Sequence, residues 1–386
     1  MISSLSSLAS LVKTRKQCID GQVFRCHYQL TVILLVTFCV IISSKILVGE
    51  PIDCEINDKT VSKSFINTYC FVNSTYSIDP EFIVNFYQSA DNNNNNNNNR
   101  LQRHGLGHYG SDHKLIYHYY YQWVWLMLFI QAICFYFPHW LWKCFEANKI
   151  SSLVTDLNYF SSDSQVIDKK VDLIVDYLYK INGINDWYAL KYYFCEVLSL
   201  INVIIQIVAN DIFLSHQFND YGFRLFRYLT SDPTVKVDPM SKIFPILSKC
   251  ELNRFGSTGS VERLDTLCLL SVNIFNQKIY LFLWFWYYFL VIVTSFVFAF
   301  RLLLICCPQI RYYVYRYRLT ESRLTASEYQ TKRLISRLKL DDWFKLLLLS
   351  KNIESILFAR IIDKLCEKFY IDDELNGKIN DEVSYL

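Results

Sequence analysis

Long apolar runs alternate with polar stretches along the chain, and four of the runs reach the length of a membrane crossing: 28–48, 119–138, 192–214 and 279–300. About twenty apolar residues in helical geometry cover a hydrocarbon core of ~30 Å. The pattern predicts an all-α membrane protein with four transmembrane helices. The polar remainder is then a tail (1–27), three loops (49–118, 139–191 and 215–278) and a C-terminal region (301–386). The first run is longer than a signal-peptide core, and no small-residue cleavage site follows it, so it reads as a retained crossing.

The polar segments carry periodicities of their own. Ile2, Leu5, Leu8, Leu11 and Val12 recur at helical spacing. They predict either a helix on the membrane surface or a segment folded back into a pore, and spacing leaves both open. In loop 139–191, Val166, Ile167, Leu173, Ile174 and Leu178 predict an amphipathic helix over 166–181. Trp343, Leu346, Leu347, Ile353, Ile356, Leu357, Ile361 and Leu365 predict one or two further helices within 342–369. Loop 215–278, with Pro233, Pro239 and Pro245, predicts short strands and turns. An uninterrupted asparagine tract fills 92–99, a composition that buries no apolar area.

Polarity inside the crossings is sparse and patterned. Glu196, Ser199, Asn202, Gln206 and Asn210 recur every three or four residues on one side of the third crossing, with Asp211 just off the stripe. Such a stripe either wets a conduction path or hydrogen-bonds neighbouring helices. The first crossing adds Thr31 and Thr37, compatible with one wetted face. Candidate pore positions are therefore Ile2, Leu5, Thr31, Thr37, Glu196 and Gln206. A bundle of four helices has too small a bore for a wide pore, so conduction requires several subunits in a ring.

Composition sharpens the class. Of 386 residues, 52% are apolar and 17% aromatic, above ordinary soluble usage. A net charge of +3 and the lack of any recognition motif argue against a nucleic-acid partner. Four of the thirteen cysteines fall in two loops, Cys54 and Cys70 in 49–118 and Cys250 and Cys268 in 215–278. An even number of crossings separates those loops, so they share one side, and disulfides persist where the surroundings are oxidising. That side is expected to be extracellular, with both termini cytoplasmic and the two loops disulfide-braced. Lys13, Arg15, Lys16, Arg25, Lys143, Arg301 and Arg311 give the same orientation by the positive-inside bias. Four cysteines allow three pairings, and the residues alone choose none. The other cysteines read as reduced thiols; Cys306-Cys307, at the inner end of the fourth crossing, is a candidate for acylation.

Chemistry is otherwise thin. Asn73-Ser74-Thr75 is a glycosylation sequon. His104, His108, His113 and His118 cluster, but in Gly-rich chain with no helix to fix a metal geometry, so no metal is expected. The terminal Ser384-Tyr385-Leu386 is a weak match to a peptide ligand that adds to a sheet edge. The chain has no phosphate-cradling Gly-rich loop, His-Glu-x-x-His or nucleophile elbow. Neither an enzyme nor a cofactor is expected.

One set of motifs points further. Tyr120, Tyr121, Gln122, Trp123 and Val124 spell YYQWV at the start of the second crossing. Val48-Gly-Glu-Pro-Ile-Asp-Cys54 follows the first crossing, and Tyr69-Cys70 precedes Asn73 and Tyr76. Phe135-Tyr-Phe-Pro-His-Trp-Leu-Trp-Lys143 ends the second crossing. Cys268-Leu-Leu-Ser-Val-Asn-Ile-Phe-Asn-Gln-Lys-Ile-Tyr280 enters the fourth, and Asp342-Trp343 and Leu349-Ser-Lys-Asn352 lie in the tail. In this order the motifs resemble the innexins, invertebrate gap-junction proteins, over nearly the whole chain.

The resemblance implies a plasma-membrane, large-pore channel: a homo- or hetero-oligomeric ring of eight subunits, set in membrane lipid and docked to a ring on the adjacent cell. It implies that the amino-terminal segment and first crossing line the pore, and that disulfides join Cys54 to Cys268 and Cys70 to Cys250. Two departures stand out. Most relatives place proline directly after YYQWV, where this chain has Trp125, and the asparagine tract lengthens the docking loop. The competing expectations are a non-junctional release hemichannel and a four-crossing adhesion or scaffold protein. The cysteine motifs of tetraspanins and claudins are absent from the corresponding loops.

Overall fold

The computed structural model describes residues 18–56, 61–78, 115–158, 164–184, 187–230, 239–320 and 328–383. Four helices are long and apolar enough to cross a membrane: α1 (Gln22–Leu47), α3 (Val124–Glu146), α6 (Tyr188–Phe213) and α9 (Ser271–Cys306). At about 1.5 Å per residue, the 36 residues of α9 extend ~54 Å, well beyond a hydrocarbon core. Helix α1 contains a π turn over Cys26–Leu30. Helix α3 continues past Pro138, the boundary expected for its crossing. Proline removes one N–H from the ladder, and membrane helices tolerate that loss better than exposed ones do.

The chain divides into two compact units. One comprises His27–Tyr136 and Leu200–Ile292, and its polar part is a five-stranded antiparallel sheet in the order β1-β5-β4-β2-β3. Strands β1 (Asp53–Glu55), β2 (Thr75–Ile78) and β3 (Leu115–His118) come from the first loop. Strands β4 (Leu247–Phe255) and β5 (Val261–Leu269) form a long hairpin from the third. The turn between them uses Gly259 at φ +80, where a side chain would be strained. Along β4, Ser248, Cys250 and Leu252 face inward at every second position. Helix α2 (Lys63–Asn73) buries Ile66 and Cys70 and begins at Ser62, whose hydroxyl accepts from the Phe65 N–H. The third loop, expected to hold short strands, instead carries two nine-residue strands, and they share one sheet with strands of the first. Among its described residues this unit also holds two small helices, α7 (Tyr221–Thr230) and α8 (Pro239–Ile243).

The other unit gathers the residues up to Cys26, Phe137–Ser199 and the chain from Val293 onward. Its helices are α4 (Lys149–Asn158), α5 (Ser164–Ile181), α10 (Pro308–Thr320), α11 (Glu328–Arg337), α12 (Leu340–Asn352) and α13 (Ser355–Val383). Trp343, Phe344, Leu346, Val171, Ile361 and Leu365 are among its buried apolar side chains. Helices α5 and α13 run parallel, and Asp168, Asp172 and Asp176 pair with Arg360, Lys364 and Lys368, four residues apart on each helix. These pairs are solvent-exposed and set register more than they stabilise. Within 342–369 the chain forms two helices rather than one, α12 and α13, because it turns extended at Ile353 before α13 starts.

Candidate functional site

Both loop cysteine pairs meet in the sheet. Cys54 on β1 stands directly opposite Cys268 on β5, and the two are joined. Cys70 on α2 is joined to Cys250 on β4. Each bridge thus ties the first loop to the third across 214 and 180 residues of chain. The sulfurs of Cys54, Cys70 and Cys268 lie within 4.8 Å of one another, so the bridges sit side by side. Consumed in disulfides, they offer no thiolate to a metal. A sheet this small has little apolar core, and covalent staples supply what packing cannot.

The YYQWV segment has a definite mechanical part beside them. Tyr120–Gln122 form a single 3-10 turn rather than the first turn of the crossing. Gln122 donates from Nε2 to the carbonyls of Phe71 (2.6 Å) and Val72 (3.1 Å). The hydroxyl of Tyr121 lies 3.3 Å from the carbonyls of Cys70 and Phe71. These are carbonyls in the last turn of α2, which no later turn can satisfy. The motif therefore closes the C-terminus of the helix that carries Cys70. Tyr120 accepts from Asn273 Nδ2 at 3.0 Å, and the same amide donates to the Pro245 carbonyl at 2.8 Å. Val124 is fully buried, while Trp123 and Trp125 are exposed. Asn73, the sequon asparagine, is exposed on the last turn of α2, with its amide nitrogen 3.0 Å from Tyr69 Oη.

The polar stripe of the third crossing finds partners within the subunit. Glu196 forms a two-point ion pair with Arg301 on α9, and both side chains are largely buried. Ser199 donates to the Cys195 carbonyl one turn back. Gln206 donates to Asn202, and Asn210 accepts from Gln131 on α3 at 2.7 Å. Gln131 in turn accepts from the Tyr287 hydroxyl of α9 at 2.9 Å, which makes a seam across three helices. Asp211 accepts from the Asn219 N–H and pairs with His216 in the turn after α6. In the first crossing, Thr31 is buried and accepts from Trp286 Nε1 at 2.9 Å. Thr37 is exposed, its hydroxyl turned onto the Ile33 carbonyl. Ile2 and Leu5 lie outside the described residues, as do the asparagine tract, His104, His108, His113 and the terminal Ser384-Tyr385-Leu386. His118 is described. It is buried, 2.7 Å from the Ser77 hydroxyl, and burial pushes its imidazole down to about 4.

The innexin profile matches residues 20–369. The chain is 36% identical over 369 residues to innexin shaking-B of Drosophila melanogaster, covering 95% of each protein. It is 36% identical to innexin inx2 of Schistocerca americana, over 95% of this chain and 98% of that one. With innexin inx2 of Drosophila melanogaster the identity is 34% over 97% of both. The chain belongs to the innexin family. Of the similarities noted above, the YYQWV and half-cystine motifs of this innexin are the ones that meet in the sheet and its caps.

A second cluster of this innexin surrounds the base of α1. Asn352, at the end of α12, accepts from the Cys18 N–H (2.6 Å) and donates to the Cys18 carbonyl (2.9 Å). Trp142 donates to the Ile19 carbonyl, and the Gly21 N–H donates to Tyr192 Oη. Asp20 is buried and pairs with Arg25 at 2.6 Å. Here α3, α6 and α12 all hold the short link Cys18–Gly21. Asp341 of α12 accepts from the Ala189 N–H and so caps α6 from the tail. Sequence reasoning missed Arg301 as the partner of Glu196, and Asn352 and Asp341 as clamps. Each is a long-range pairing that no local periodicity encodes.

Proposed function

We propose that this innexin is a subunit of a large-pore gap-junction channel that passes ions and small metabolites between adjacent cells. Innexins are gap-junction membrane proteins that act as oligomers, and the family's ring is read here as an octamer around a shared aqueous path. The observation that carries the reading is the pair of bridges Cys54–Cys268 and Cys70–Cys250, which make one braced sheet from two separate loops. Stable disulfides fit an oxidising exterior, so the sheet is read as extracellular and both termini as cytoplasmic. A sheet stapled before it meets its counterpart loses less conformational entropy on docking. Ile2, Leu5 and the first crossing are read as the pore lining. The Arg301 partner on α9 favours the interhelical-seam reading for Glu196, whereas Gln206 bonds to Asn202 on its own helix.

One observation favours a second reading. Asn73 stands exposed on α2 in the same braced unit, so a glycan there would obstruct docking and leave an undocked release hemichannel. Dye transfer between paired expressing cells, with single-cell dye uptake and whole-cell conductance as companions, tests both. Transfer supports the junctional channel. Uptake without transfer supports the hemichannel, and no large conductance under any gating stimulus returns the protein to adhesion.

A further inference from the structure

The free cysteines of this chain are not distributed evenly between interior and surface. Cys195 and Cys366 are buried, Cys18, Cys26, Cys39 and Cys134 are partly covered, and Cys144, Cys306 and Cys307 are exposed. All three exposed thiols lie at the ends of membrane helices. Cys144 is two residues from the end of α3 (Val124–Glu146), and Cys306 is the last residue of α9 (Ser271–Cys306). Both helices run in the same direction through the bilayer in a four-crossing chain, so these ends share a face, the one read above as cytoplasmic.

Cys307 and Cys144 also complete exposed apolar ridges. On α9, Phe296, Phe300 and Leu303 are exposed at four- and three-residue intervals, and Cys307 follows four residues on. The Cys307 N–H still donates to the Leu303 carbonyl, so helical geometry carries that ridge to the thiol. On α3, Phe137 and Trp140 are exposed and stacked on each other, and Cys144 stands four residues beyond Trp140. The polarity changes immediately afterwards. Arg311 folds back to donate to the carbonyls of Leu304 and Ile305, and Arg316 and Arg318 follow on α10. Cys306 and Cys307 thus stand between the exposed apolar side chains at the end of α9 and the cations of α10, the change in polarity that marks a membrane interface.

We propose that Cys144, Cys306 and Cys307 are S-acylation sites, taking a long-chain fatty acyl group from an acyl-coenzyme A thioester. The cysteine sulfur forms a new thioester bond to the acyl carbonyl carbon, and the bond from that carbon to the coenzyme sulfur breaks. The proton lost by cysteine ends on the released coenzyme thiol, and nothing is oxidised or reduced. The attached chain would lie back along Phe300–Leu303 or Phe137–Trp140, apolar surfaces that a single subunit leaves uncovered. A protein already held by four crossings gains no membrane residence from acyl chains, so their effect would fall on lateral sorting and on how these helix ends sit at the interface. The proposal rests on the orientation proposed above.

The test is metabolic labelling of cells expressing the full chain with an alkyne-bearing palmitate analogue. Wild-type protein is expected to carry label that neutral hydroxylamine removes, and the variant C144S/C306S/C307S to lose it. Unlabelled wild type, or label undiminished in the variant, overturns the proposal. If the variant fails to reach the cell surface, peptide mass spectrometry of the wild type decides. An acyl adduct on peptides holding Cys144 or Cys306–Cys307 supports the proposal, and adducts confined to other cysteines overturn it. A membrane-impermeant maleimide separates the two readings. Reaction of these thiols on intact cells overturns the orientation and the proposal together. Reaction only after permeabilisation, with no acyl adduct, overturns acylation and leaves the orientation standing.

Discussion

Arg301 grips Glu196 through two parallel hydrogen bonds, Nε to Oε2 at 3.0 Å and Nη2 to Oε1 at 3.1 Å. The rings of Tyr192 and Tyr193 lie 5.7 and 5.5 Å from the guanidinium carbon. Two charges taken out of water cost several kcal/mol, and a two-point geometry flanked by aromatic faces recovers much of that cost. Removing only one partner leaves the other charge buried without compensation. Glu196→Gln is therefore expected to destabilise the folded subunit by about 3 kcal/mol, whereas the apolar double variant E196L/R301M should lose less than either single change. Thermal unfolding of purified protein in detergent checks the order. Ion selectivity of E196Q channels should match wild type, and a changed reversal potential would assign Glu196 to the conduction path.

Gln122 and Tyr121 reach the last carbonyls of α2, so their loss should loosen the helix that holds Cys70. Gln122→Ala removes donors to Phe71 and Val72 and is expected to cost about 1–2 kcal/mol. Tyr121→Phe keeps the buried ring and should cost about half as much. Both should raise hydrogen exchange across α2 while leaving the bridges intact. Unchanged exchange in Q122A would mean that water caps those carbonyls equally well.

How much of this could be read in advance divides along a physical line. The four crossings follow from apolar length, a local property, and the helices over 166–181 and in the tail follow from periodicity. The extent of α9 did not, because Asn273, Asn276 and Gln277 are polar yet buried: Asn273 and Gln277 donate to the loop carbonyls of Pro245 and Phe244, and Asn276 donates to Asn273, partners that a linear scan cannot see. The start of α3 fell at Val124 instead of residue 119 for a similar reason: the preceding turn is spent on capping α2. The stripe on the third crossing was visible as a pattern, but its choice between seam and channel turned on Arg301 and Gln131, more than sixty residues away in either direction. The joining of both loops into one sheet needed strand partners from the far end of the chain.

His118 makes the braced unit sensitive to acid. Its ring is buried beside Ser77 and Tyr120, and desolvation lowers its pKa to about 4, below the ordinary value of 6.5. In the unfolded chain the imidazole takes a proton near 6.5, so between that value and about 4 the unfolded state binds more protons. Stability is complete above pH ~6.5 and falls as pH drops toward 4, by at most about 3 kcal/mol. His118→Gln keeps a polar group beside Ser77 but cannot titrate. Its melting temperature should vary less between pH 7 and pH 4.5 than that of wild type. Parallel pH curves for the two proteins would place the acid sensitivity on another group.

Asn352 fixes the point where α1 begins, since its amide satisfies both the N–H and the carbonyl of Cys18. The residues before Cys18 are among those proposed to line the pore, so a clamp from α12 sets where that segment joins the first crossing. Asn352→Ala deletes both bonds and should cost about 1–2 kcal/mol locally. Asn352→Asp should be the more severe change, because a carboxylate can accept from the Cys18 N–H but sets its second oxygen against the Cys18 carbonyl. Faster hydrogen exchange at Cys18–Gly21 is expected in both variants, with N352D above N352A. In paired-cell recordings the voltage for half-maximal conductance should shift in the same order while unitary conductance stays fixed. A fall in unitary conductance with no shift in gating would show that the clamp shapes the open bore itself rather than the position of the segment that enters it.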